Sequence, residues 1–134
     1  MKTVNIKGKE YVPVNERIKA FRKLLPEGFI KTEMLSNEDG VCVFRAEVGR
    51  YLDDAPLILA TGYAYERETS SYINKTSYIE NCETSAVGRA LGMLGIGIDD
   101  SVASYEEVAN AQLNQGKKTP DFSKNKSNDW RVEG

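Results

Sequence analysis

Apolar side chains recur along the first hundred residues with two different periods, and the changes between them divide the chain into elements. In "YVPVNERIKAFRKLLPEGF", Val14, Ile18, Phe21 and Leu25 stand three and four apart, with Pro13 near the start and "PEG" behind Leu25 as a stop. That spacing predicts a first helix over residues 13–25. Arg17, Lys19, Arg22 and Lys23 fill the positions between, as the solvated face of such a helix would.

The period then shortens to two. "GFIKTEMLSNEDGVCVFRAEVGRY" contains two extended runs around Asp39-Gly40, a pair that accepts the left-handed backbone of a tight hairpin. After the break "LDDAP", Leu57, Leu59, Thr61, Tyr63 and Tyr65 alternate with Ile58, Ala60, Gly62 and Ala64. These runs predict a three-stranded antiparallel β-meander. Beyond polar "TSSYINKTS", Ile79, Cys82, Ala86, Ala90 and Met93 return to helical spacing, with Val87, Leu91 and Leu94 beside them, which predicts a long helix over 76–94. Ser104 and Glu107 make a capping box for a short C-terminal helix. The expected class is α+β: helix, meander, a long helix across the sheet and a short last helix, in one core over residues 1–113. From Asn114 to Gly134 the chain is polar and aperiodic, too poor in apolar surface to offset its ordering entropy, and a disordered tail is expected. Phe122 and Trp130 are the two tail residues able to anchor a partner.

One stretch resists a simple helical reading. "ETSAVGRALGMLGIG", residues 83–97, holds Gly88, Gly92, Gly95 and Gly97, although each interior glycine costs a helix about 1 kcal/mol relative to alanine. Gly88 and Gly92 share a face and let a backbone come close, whether that of a strand, another subunit or a phosphate chain; Gly95 and Gly97 most simply end the helix. Arg89 lies between the first two. Its planar fork suits a phosphate, and it has Glu83, Asp99 and Asp100 as alternative ion-pair partners.

Composition narrows the chemistry. The 134 residues include no histidine, which removes Ser-His and Cys-His catalysis, and Cys42 and Cys82 lie in apolar segments as buried free thiols do. Glu80 with Glu83 and Asp99 with Asp100 have no lysine at nuclease spacing, and no G-x-x-x-x-G-K-[ST] loop occurs, so neither an enzyme nor a cofactor or metal is expected. The net charge of −2 is neutral on nucleic acid, for which only a local basic surface can argue. No apolar run is long enough to span a membrane and "MKTVNIKGKEYV" lacks a secretory core, so a cytoplasmic protein is expected.

The order helix, meander, long helix, with "GKEYVPVNERIKAFRKLLPEGF" and above all "YIENCETSAVGRALGMLGIG", resembles the Erf-type single-strand annealing proteins of phage recombination, relatives of the Rad-fifty-two mediator. The likeness covers about residues 7–100. It implies a β-β-β-α core that assembles into homo-oligomeric rings or filaments, binds single-stranded DNA in a groove and anneals strands without ATP, in recombination and repair within the cytoplasm of an infected or prophage-carrying host. It also implies that Arg89 contacts the DNA backbone, that Gly88 and Gly92 face the groove and that Lys7 and Lys9 belong to a DNA-binding loop. Relatives carry more basic residues on this helix than the present chain does. A single-strand track wants cations interleaved with aromatic faces, and Lys75, Arg67, Tyr72 and Tyr78 supply both. The tail is a candidate attachment for a nuclease or a single-strand-binding protein. Two other classes fit: a small OB-like single-stranded DNA-binding protein, which would need five strands rather than three, and a protein-docking inhibitor of host repair, which would not bind DNA.

Overall fold

The computed structural model describes residues 1–72 and 74–98. In chain order the elements are β1 (Val4–Ile6), β2 (Lys9–Tyr11), α1 (Val14–Leu24), β3 (Phe29–Glu38), β4 (Val41–Leu52), β5 (Ala55–Arg67) and α2 (Asn74–Leu94). β3, β4 and β5 form the antiparallel meander, with β4 in the middle. The first helix, the three-stranded sheet and the following helix are thus those the periodicity predicts. The short C-terminal helix and the tail from Asn114 lie outside the described residues.

Ahead of α1 stands a feature absent from the sequence reading. The segment of Lys7 and Lys9, read as a binding loop, is a small antiparallel hairpin of β1 and β2. Lys7 and Gly8 take positive φ at its tip, 53° and 81°, and the Gly8 amide donates to Asn5 Oδ1 at 3.0 Å. Strands of three residues are too short to show alternation, so only the Lys-Gly pair marks the turn.

One face of the sheet makes the core. Along β4, Cys42, Phe44, Ala46 and Val48 are buried, while Val41, Val43, Arg45 and Glu47 point the other way. α2 lies on the buried row through Cys82, Ala86, Ala90 and Leu91, and α1 adds Val14 and Phe21. Val14, Phe21 and Leu91 contribute roughly 1.5–3 kcal/mol each by their burial, the alanines less. Gly62 sets how close the helix comes: a Cβ there would stand 2.4 Å from the Ala90 amide nitrogen and 2.5 Å from the Ala86 carbonyl oxygen. The close approach is therefore made by a glycine of the strand.

Arg17 overturns an expectation. Instead of lying on a solvated face it is 1% exposed, and its Nη1 donates to the Gly88 carbonyl at 2.9 Å. Residue 17 lies three positions after Val14 and four before Phe21, on the stripe that meets α2, so geometry overrides residue type. The last turn of α2 closes with the Gly95 amide on Gly92 O at 2.9 Å and the Ile96 amide on Leu91 O at 3.0 Å. Gly95 and Gly97 have φ of 104° and 71°, left-handed values that end the helix and turn the chain. Among the described residues, no helix is long and apolar enough to cross a membrane.

Candidate nucleic-acid interface

The corner between β5 and α2 is built on a buried amide. Asn74, in the first turn of α2, donates from Nδ2 to Glu66 Oε1 and to Ser70 Oγ, both at 2.6 Å, and its Oδ1 accepts from Asn81 Nδ2 at 2.7 Å. Its backbone amide donates to Ser71 Oγ at 3.1 Å, and Ser70 closes on the Arg67 carbonyl through both its amide and its hydroxyl. Buried polar groups so fully bonded fix one geometry. On the outside of this network stand Arg67, Tyr72 and Lys75, all exposed, with Tyr72 at 87%. α2 bends just beyond, where Ser77 leaves helical geometry (φ −135°). Tyr78 is half-buried and its hydroxyl donates to Asn37 Oδ1 at 3.0 Å, tying α2 to the end of β3.

The other candidate residues lie elsewhere. Behind β2, Val12 packs against Gly97, so the hairpin of Lys7 and Lys9 is based at the opposite end of α2 from Lys75. The length of α2 lies between them. Arg89 is 6% exposed, and Gly88 and Gly92 are buried with it. The helix surface that the resemblance assigns to a phosphate chain is therefore interior to the subunit, and the Gly88 carbonyl already takes Arg17.

The sheet has a second face, and no described element packs on it. Along β5 it shows Thr61, Tyr63, Tyr65 and Arg67, with Tyr63 at 49% and Tyr65 at 50% exposure. Register places Arg45 beside Tyr63 and Val43 beside Tyr65. The Arg45 guanidinium donates to Glu33 at 2.5 Å and lies 3.9 Å from Glu47; a hydrogen bond with Tyr63, followed by the pull of Glu33, raises its pKa above the ordinary value. Sequence reasoning placed both tyrosines on β5 without assigning them a role. The available signal was a pair of aromatic residues, Tyr63 and Tyr65, on the side of the strand opposite Ala60, Gly62 and Ala64.

Beyond Phe29, where β3 begins, the sheet narrows to an arm of β4 and β5. Tyr51, Leu52, Leu57 and Ile58 are exposed there around a turn at Asp53 and Asp54, both with positive φ. Cys42 and Cys82, by contrast, are buried free thiols; Cys82 Sγ has the carbonyls of Cys42 and Ala64 at 3.3 and 3.4 Å as acceptors for its one proton, and burial raises both pKa values. They are poor nucleophiles in this setting.

A family model described as Slr1353 N-terminal dsRNA-binding domain-like matches residues 18–94, from within α1 to the last residue of α2. No curated protein and no solved structure matches the chain.

Proposed function

The chain belongs to the Slr1353 N-terminal dsRNA-binding domain-like family, and from its exposed side chains and the annealing proteins that its sequence resembles we propose that it binds single-stranded nucleic acid and anneals complementary strands without nucleotide hydrolysis. The observation that carries this reading is the β5–α2 corner, where the segment folded by the Asn74 network leaves Arg67, Tyr72 and Lys75 all exposed. Arg67 and Lys75 neutralise phosphates, and Tyr72 stacks an unpaired base; neither contact depends on sequence. The phosphate role given to Arg89 by resemblance thus moves to residues that water reaches. A strand held by its backbone keeps other bases free to test a partner, so annealing needs no covalent step.

Self-association belongs to the same proposal. β3 and β5 have unpaired edges among the described residues, and the arm exposes apolar side chains that a second copy would cover. The reading then agrees with the annealing proteins that the sequence resembles. The family description favours a second reading, binding of duplex RNA. Against it stands Tyr72: a duplex hides the base faces that such a ring would stack on.

Fluorescence anisotropy with a labelled single strand, titrated in rising salt, tests the proposal. Binding tightest at low salt is expected, with the slope of log K against log salt reduced by about 0.7 for each of Arg67→Ala and Lys75→Ala. Mixing complementary strands with the protein, without nucleotide, should speed their pairing. Absence of single-strand binding at low salt, or tighter binding of duplex RNA, would overturn the reading.

A further inference from the structure

The open sheet face holds two aromatic rings that neither the core nor the β5–α2 corner uses. Tyr63 and Tyr65 are successive outward residues of β5, so their Cα atoms lie about 7 Å apart. Each is half exposed, and each is backed by a side chain of β4: Arg45 beside Tyr63, Val43 beside Tyr65. The row continues without an acidic side chain to Arg67, because Glu66 faces the other way and accepts from Asn74.

Charge sorts the roles on this face. Arg45 is engaged by Glu33 and Glu47, which makes it a poor phosphate partner but a firm support for the Tyr63 ring. Arg67 stands exposed where the row ends, and Lys75 is exposed in the first turn of α2 beyond it. A ligand that lies along β5 therefore meets aromatic faces first and cations at one end, which complements unpaired bases followed by their phosphate backbone.

We propose that Tyr63 and Tyr65 form a two-base stacking platform for single-stranded nucleic acid on the outer face of the sheet, continuous with the cations of the β5–α2 corner. This rests on the reading of the chain as a single-strand binder and adds where the bases go. The platform is preformed, since both rings are rooted in a hydrogen-bonded strand. It also selects: bases inside a duplex cannot lie flat on it.

Full-length protein, a labelled oligothymidylate and a backbone-matched abasic oligonucleotide provide the test, read by anisotropy at fixed salt. Tyr63→Ala with Tyr65→Ala should weaken oligothymidylate binding by roughly 5- to 150-fold per lost stack. The salt slope should stay unchanged, and the abasic strand should bind both proteins alike. Tyr63→Phe with Tyr65→Phe should restore affinity, which separates stacking from loss of a hydroxyl and from misfolding. If wild type binds both oligonucleotides equally, or the alanine variant loses nothing, the platform is overturned while single-strand binding stands. If wild type binds no single strand, the underlying reading fails and the platform with it. A change in light-scattering mass caused by the alanine pair would show that a second copy covers this face, which also overturns the proposal.

Discussion

The two faces of the sheet are made from the same strands, yet they differ in almost everything a side chain can contribute. The inner face is an apolar row, Cys42, Phe44, Ala46, Val48, Ala60, Gly62 and Ala64, pressed against α2. The outer face carries Val41 and Val43 beside the long side chains Lys31, Glu33, Arg45, Tyr63, Tyr65 and Arg67, with an ion pair between β3 and β4 and no described cover. Substitution should therefore act through volume on the inside and through chemistry on the outside. One face holds the subunit together; the other is left open among the described residues.

The sharpest way to break the inner face is Gly62→Val. With main-chain atoms of α2 at 2.4 and 2.5 Å from a Cβ, nothing flexible can give way, and a loss of about 3 kcal/mol or more is expected in urea unfolding. Arg17→Ala tests the joint between the helices. It removes the donor to Gly88 O and leaves a void, so about 2–4 kcal/mol should be lost in the same measurement.

The inner face should also limit alkaline stability. Burial holds the Cys82 thiol far above its ordinary value of 9.0, so the unfolded chain releases this proton first. A raised pKa means stability fully present below pH 9 and declining above it, by about 1 kcal/mol at pH 10, and Cys82→Ala should flatten that decline. On the outer face, Tyr65→Thr should cost under about 1 kcal/mol of stability, because cross-strand pairs there are worth little more. If it costs as much as Gly62→Val, the outer face is core after all.

How far the sequence reveals this structure depends on the range of the signal. Val14, Ile18 and Phe21 repeat over several turns, and Asp39-Gly40 sits between long alternating runs, so α1 and the β3–β4 hairpin are legible. The β1–β2 hairpin is not, because three-residue strands carry no period. Arg17 misleads because its residue type speaks for solvent while its position speaks for the α1–α2 contact. Of the candidate residues, Arg67, Tyr72 and Lys75 are legible as exposed cations and an aromatic ring on one short polar segment, whereas the Asn74 network that folds this segment is not, because Glu66, Ser70 and Asn81 share no sequence period with it. Nothing local to Arg89 announces its burial, which comes from the packing of its whole helix.

The order of the elements also has a consequence during synthesis. Tight turns at Asp39-Gly40 and Asp53-Asp54 let the meander pair from neighbours alone, and a ribosome delivers it before α2 exists. From the end of β5 at Arg67 to the end of α2 at Leu94, translation takes roughly 1–5 s at the usual rate of about 5–20 residues per second. For that interval the row of Cys42, Phe44, Ala46 and Val48 faces water with its cover unmade. Nascent chains of this protein should accordingly be most dependent on chaperones, and most prone to wrong pairing on a crowded polysome, in the short window before Leu94 emerges.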